Sequence, residues 1–169
     1  MNLFFRLFYI LLFSRFRLKV ELLGPCRTPF MVWLSDLDIL RHMNNGRYFS
    51  ILDLARLDYM IRAGFYQKVD QAGYYPVVVA ETIRFRKSLQ LHQKFFVESC
   101  VLAWDSKAFI IGHEFKIKNE VVANAVIRAR FLKKSGGAVS PAEILKLVDY
   151  NQESPQLKKW IHDWNQIQS

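Results

Sequence analysis

Between Asn45 and Gly64 the chain reads as a helix that is apolar around most of its circumference. Tyr48, Ile51, Leu52, Ala55, Tyr59 and Met60 recur at helical spacing. Phe49, Leu54, Leu57 and Ile61 widen that face well past half a turn. A helix so apolar must be buried on nearly all sides, so the rest of the chain has to wrap around it. Asn44 and Asn45 are good N-cap residues, and Gly64 is a natural stop.

The surrounding segments read as strands. Cys26 to Leu34 places Phe30, Val32 and Leu34 at alternate positions, with Pro29 suggesting a sheet edge. Pro76 to Lys87, Phe95 to Trp104, Ala108 to Lys118 and Val121 to Leu132 follow the helix. Trp104-Asp105-Ser106-Lys107 and Lys118-Asn119-Glu120 read as hairpin turns, so these strands can pair into an antiparallel sheet. Ser140-Pro141-Ala142-Glu143 starts a short helix, and Ser154-Pro155 is expected to start another that ends near Gln166. The fold class is α+β: one domain, an antiparallel sheet around a long central helix, and extra helices at both ends. At 169 residues the chain has room for little more. The expected division is an apolar, basic N-terminal helix over residues 1–22 and a body over 23–169, with C-terminal helices from about 140. Cys26 and Cys100 give no disulfide framework and read as core fillers.

The net charge of +9 is spread along the chain rather than gathered in a nucleic-acid motif, and no metal-ligand spacing appears. The expectation is no nucleic acid, no metal and no cofactor. Leu3 to Phe13 is apolar except for Arg6 and too short to span a bilayer, which takes about 20 residues. Ser14-Arg15-Phe16-Arg17 makes a poor signal-cleavage site. Two readings stand side by side: residues 1–19 lie on anionic lipid as an interfacial helix, or they pack on the domain or a partner chain. The expected location is the cytoplasm, membrane-associated under the first reading.

The chemistry concentrates between strand and helix. Two carboxylates (Asp36, Asp38), one imidazole (His42) and two carboxamides (Asn44, Asn45) fall within ten residues. The first amides of a helix lack internal partners and carry positive potential, so they can hold a developing oxyanion. A carboxylate just upstream can serve as nucleophile or as base toward water, and a nearby His can orient it. Either Asp can equally well satisfy loop amides.

Asp36-Leu37-Asp38-Ile39-Leu40-Arg41-His42-Met43-Asn44-Asn45-Gly46-Arg47-Tyr48, followed by Leu54-Ala55-Arg56, resembles the signature of the 4-hydroxybenzoyl-CoA thioesterase-like hotdog family. It is similar to the Asp-x-Asp-x-x-x-His-x-Asn-Asn-x-x-Tyr block of acyl-ACP thioesterases. It most resembles the thioesterase superfamily member 6 group and its bacterial relatives. Arg84 to Leu89, Leu102 to Phe109 and Leu157 to Ile161 continue the likeness, which covers roughly residues 28 to 165. The resemblance implies a hotdog fold, a homodimer or dimer-based tetramer with active sites at the subunit interface, and hydrolysis of acyl-CoA or acyl carrier protein to free acid and thiol. Asp38 matches the catalytic carboxylate and His42 the His of the block. Oxyanion donors would be the amides of Asn45, Gly46 and Arg47. Leu40 stands where the block usually has Asn, so no role for that Asn carries over. The alternative is a non-enzymatic hotdog protein that binds acyl chains or partners at a membrane surface.

Other residues carry weaker signals. Coenzyme A bears phosphates, and Arg84, Arg86 and Lys107 are candidate contacts, against the simpler reading of solvated charge. Thr82 is a candidate for the acyl pocket. Asp53 with Arg56 and Asp58 with Arg62 have the spacing of helix ion pairs. His113 sits on an apolar strand face and reads as a core residue.

Overall fold

The long helix is α2, Asn45–Arg62, and it carries the core. In the computed structural model, which describes residues 2–168, eight α2 residues are buried, including Tyr48, Ile51, Leu52, Ala55 and Tyr59. Each buried side chain of this size is worth roughly 1.5–3 kcal/mol, so α2 alone secures much of the fold. Asn44 caps it: its side chain accepts from the Gly46 amide at 2.9 Å. The chain leaves the helix at Gly64, whose φ of +77° suits a residue without Cβ.

Around α2 runs an antiparallel sheet. Its strands are β1 (Cys26–Met31), β2 (Tyr74–Phe85), β3 (Lys94–Trp104), β4 (Phe109–Ile117), β5 (Glu120–Lys133) and the two-residue β6 (Ala138–Val139). The order is β1-β3-β4-β5-β2, with β6 paired to β5. The inner face of the sheet meets the first half of α2 through Phe95, Val97, Phe115, Ala123 and Ala125. The second half of α2 packs with α3 (Tyr66–Gln71) and α4 (Pro141–Leu147) on Val101, Phe109 and Phe131. β1 and β2 form the two edges, so the β1–α2–β2 connection crosses the whole sheet.

The outer face is covered by α5 (Lys159–Ile167), which lays Ile161 and Trp164 on Ile110 and Val126. Beneath α5 the buried Arg128 guanidinium pairs with Asp105 at 2.6 Å and donates to Asn165. α5 starts at residue 159 rather than at Ser154. The Ser154 hydroxyl is taken by the Trp104 amide at 2.8 Å, so it pins the connection to the end of β3 instead of capping a helix.

At the N-terminus α1 (Asn2–Phe13) runs into a 3-10 turn over Ser14–Phe16. Leu3, Leu7 and Ile10 face the core, so residues 2–16 pack on the domain. Two buried ion pairs fix them there: Arg6 on Asp36 and Arg17 on Asp58.

Candidate active site

The loop between β1 and α2 is held at both ends before its chemistry is considered. Asp36 is buried, accepts from Arg6 at 2.6 Å and from the Trp33 amide at 2.8 Å, and gives its carbonyl to the Asn44 amide. The Met43 amide donates to the Leu89 carbonyl, and His42 bridges to Gln90. Asp36 is therefore a fastening, and the half-buried Asp38 stands at the head of the tight turn it secures.

Asp38 closes that turn on itself. Its Oδ1 accepts from the Leu40 amide at 2.9 Å and from the His42 amide at 3.2 Å. Its own amide donates to the His42 carbonyl at 2.8 Å. Arg41 takes φ of +62° to allow this. Oδ1 is thus engaged and Oδ2 makes no hydrogen bond among the described residues, which leaves one carboxylate oxygen for water or a carbonyl carbon. The backbone amide and carbonyl of His42 both bond Asp38, while its imidazole makes no hydrogen bond among the described residues. Leu40 points out to solvent while its amide holds Asp38.

The three proposed oxyanion donors separate. The Gly46 amide is spent on the Asn44 side chain and the Arg47 amide on the Asn44 carbonyl at 2.9 Å. Only the Asn45 amide is left without a partner among the described residues. A helix cap competes for the same donors that an oxyanion needs, and here it takes two of three.

Thr82 and Arg84 of β2, with Arg86 just past the strand end, line a groove with Asn124 and Trp160. That groove lies on the outer face beside α5. The apolar cavity lies on the other side of the sheet, against α2. It has a volume of about 220 Å³ and is lined by Leu57, Met60, Phe109, Ile111 and Phe131, with β2 contributing Pro76, Val77 and Val78. Thr82, expected at an acyl pocket, lines the outer groove and not this cavity. A bulge between Val78 and Ala80 shifts the register, so the cavity takes the residues before it and Thr82 faces away. Lys107 sits in the β3–β4 turn, where its amide donates to Asp105. It lies more than about 15 Å along the sheet from Arg84, so these cations do not converge.

Sequence spacing did not reveal Arg56 as a wall residue of the cavity. It pairs with Asp53, as the i, i+3 spacing suggested. Yet it also lines the cavity, and its Nη1 is buried without a partner. Burial lowers its affinity for a proton, against the opposing charges of Asp53 and Glu81. Burial likewise pushes the Glu81 carboxyl up, with Arg56 opposing.

His113 is a core residue, as expected. Its Nδ1 lies 2.8 Å from Ser99 Oγ and its Nε2 has no partner among the described residues. Burial, helped by the charge of Arg56, holds its pKa well below the ordinary 6.5. The folded protein keeps His113 neutral, whereas the unfolded chain takes up a proton below about pH 6.5. Stability contributed by the neutral ring is therefore present above that pH and lost as pH falls. Thermal melts are expected to show Tm dropping between about pH 7.5 and pH 5.5, with a shallower drop in His113→Leu. An equal slope in the variant would remove His113 as the cause.

Known proteins place this arrangement. The thioesterase-like superfamily matches residues 32–164. The chain belongs to that superfamily. Protein THEM6 of Xenopus laevis is 32% identical over 136 residues, 72% of this chain and 66% of its own length. Protein THEM6 of Danio rerio is 33% identical over 132 residues, 77% of this chain and 65% of its own. The chain thus spans just under two thirds of these curated relatives. Among solved structures, YbaW, a probable thioesterase from Escherichia coli, superposes with a TM-score of 0.67 at 24% identity, over 73% of this chain and 96% of that one. The likeness establishes the hotdog fold expected of the superfamily, and the matched residues take in the Asp36–Tyr48 loop, all of α2 and the whole sheet after β1.

Proposed function

We propose that this protein hydrolyses an acyl thioester, R–CO–S–CoA or its acyl-carrier counterpart, to free acid and thiol. The observation that carries the reading is Asp38. It is a carboxylate fixed at Oδ1 and open at Oδ2, at the head of the turn that leads into α2, whose Asn45 amide is unengaged among the described residues. The Asn45 N–H stabilises the carbonyl oxygen as it gains charge, and Asp38 either draws a proton from an attacking water or attacks the carbonyl carbon itself, in which case water then cleaves the acyl–Asp38 anhydride to free acid and carboxylate. The bond broken is C–S and the thiolate leaves. The apolar cavity receives the acyl group, with Arg56 the one cation among the described residues of its wall. A panel of acyl-CoA esters, with release of free thiol as readout, tests the reading. Hydrolysis of at least one ester above an Asp38→Asn control supports it; none above that control overturns it.

Asp38 and the cavity sit at opposite ends of α2. The mouth residues Asp53 and Arg56 are eight or more residues beyond Asn45, about 12 Å along the axis. One chain alone therefore does not bring them together. The free edge of β2 supplies the remedy. Its Phe85 end packs on Tyr48 near the start of α2, and its Pro76–Val78 end borders the cavity. Antiparallel pairing of two such edges about a two-fold axis sets the Asp38 loop of one copy by the cavity of the other. The exposed Tyr75, Val78 and Val79 on this edge fit such burial. The proposed state is a homodimer, or a tetramer built from it. Sedimentation is expected to give at least twice the 20.0 kDa chain mass, and a species at the chain mass would refute this arrangement.

A further inference from the structure

Helix α1 has two apolar faces, and the fold uses one. Its inner face is filled: Ile10 is 2% exposed, Leu3 and Leu7 pack beside it, and Ser14 is buried. Its outer face is left bare. Phe4 is 78% exposed and Phe8 66%, with Phe5 and Leu12 beside them, and Phe16 in the 3-10 turn that follows is 78% exposed. No Asp or Glu occurs before Glu21. Of the cations in this segment, Arg6 and Arg17 turn inward to Asp36 and Asp58. Arg15 and Lys19 remain exposed, near the end of the same helix.

We propose that α1 lies in the interface of an anionic lipid bilayer, with Phe4, Phe5, Phe8 and Phe16 in the acyl–headgroup boundary and Arg15 and Lys19 against lipid headgroups. Twelve residues of helix are about 18 Å long, too short to cross a hydrocarbon core of about 30 Å, and no described helix is long and apolar enough to do so. An amphipathic helix with phenylalanines on one side and cations at its border lies in the plane instead. The charge decides between occupants. A second copy would bring the same acid-free segment against itself and set Arg15 and Lys19 in like-charged surroundings. An anionic surface complements them. The face also stays open in a dimer built on β2, because α1 sits by β1 at the opposite edge of the sheet, where Arg6 donates to the Met31 carbonyl.

The placement has a consequence for the loop. Arg6 leaves the inner face of α1 to hold Asp36, so the helix is tied directly to the loop that carries the Asp38 turn. Trp33, Leu34 and Ile39 on that loop are exposed as well. A bilayer under α1 lies next to the loop, a fitting place to meet a substrate whose acyl chain partitions into lipid.

Flotation of the full chain with vesicles is the test. One set is phosphatidylcholine alone; the other carries about a third phosphatidylglycerol, a content that attracts basic segments. Wild type is expected to float with the anionic vesicles and little with the neutral ones. Phe4→Ser with Phe8→Ser is expected to weaken binding by at least about tenfold, since both rings leave water on docking. Arg15→Gln with Lys19→Gln is expected to lower binding to anionic vesicles toward the neutral level. All four side chains are exposed, so Tm stays at the wild-type value and folding is not confounded. Wild type that stays with the pellet, or serine variants that bind like wild type, would overturn the proposal. So would serine variants that sediment as a smaller assembly than wild type, because a second copy would then be the occupant. None of these readouts depends on thioester hydrolysis, so the docking and the activity stand or fall separately.

Discussion

Asp38→Asn is expected to lower kcat/KM for acyl-CoA hydrolysis by roughly 10²–10⁴-fold, the range for losing a reacting acid–base group. The substitution is chosen for what it keeps. Asparagine retains an Oδ1 that can accept from the Leu40 and His42 amides, so the turn is preserved. It loses the charge and the nucleophilic oxygen. The loss is expected in kcat rather than KM, because in the proposed function the cavity and not Asp38 holds the acyl group. His42→Ala supplies the contrast. Its backbone holds Asp38 and its imidazole holds nothing described, so the expected loss is within about tenfold, less than for a reacting group. Thiol release under saturating acyl-CoA measures both. If the two variants lose activity equally, the imidazole takes part in proton transfer and the geometric ranking fails. If Asp38→Asn keeps activity within about threefold of wild type, Asp38 is not the reacting group.

What could be read from the sequence follows the range of the forces involved. α2 was legible because its determinants are local: an Asn cap, a helical period of apolar residues and a glycine stop. The antiparallel strands after it were legible for the same reason. The Asp36–Asn45 loop was legible because its residue types and spacing are themselves the signal, and the structure makes Asp36 the fastening and Asp38 the open group. Three features were not legible. The bulge at Val78/Ala80 reverses which residues of β2 meet the cavity, and nothing in an alternating strand announces where a register slips. The Ser154 hydroxyl goes to Trp104, fifty residues away, so a good helix-start signal was overridden by a tertiary contact. The interfacial reading of the N-terminus counted Arg6 among the cations around an apolar run, whereas the structure turns it inward onto Asp36. A guanidinium inside an apolar segment calls for a buried anion, and the sequence alone does not say that the anion is Asp36.

That pairing supports the second large effect. Asp36→Ala is expected to cost about 3 kcal/mol, as breaking one side of a buried pair does. Arg6 is 11% exposed and Asp36 2%, so solvent screens the pair little. The variant leaves the guanidinium without its counter-charge and the Trp33 amide without an acceptor. For a chain of this size the cost is roughly a 6–12 °C drop in Tm. Arg6→Met is expected to cost less, because Asp36 still accepts from the Trp33 amide. The double variant should then be more stable than the two losses added, with a coupling of about 1–3 kcal/mol by denaturant titration. Activity separates fastening from mere packing. If Arg6 steadies the loop that presents Asp38, Arg6→Met lowers kcat well below its own Tm while KM changes little. If α1 is only a cover on the core, Arg6→Met shifts Tm and leaves kcat at the wild-type value. The first outcome is expected, because both oxygens of the Arg6 contact, Met31 O and Asp36 Oδ2, belong to the strand and turn that lead directly into Asp38.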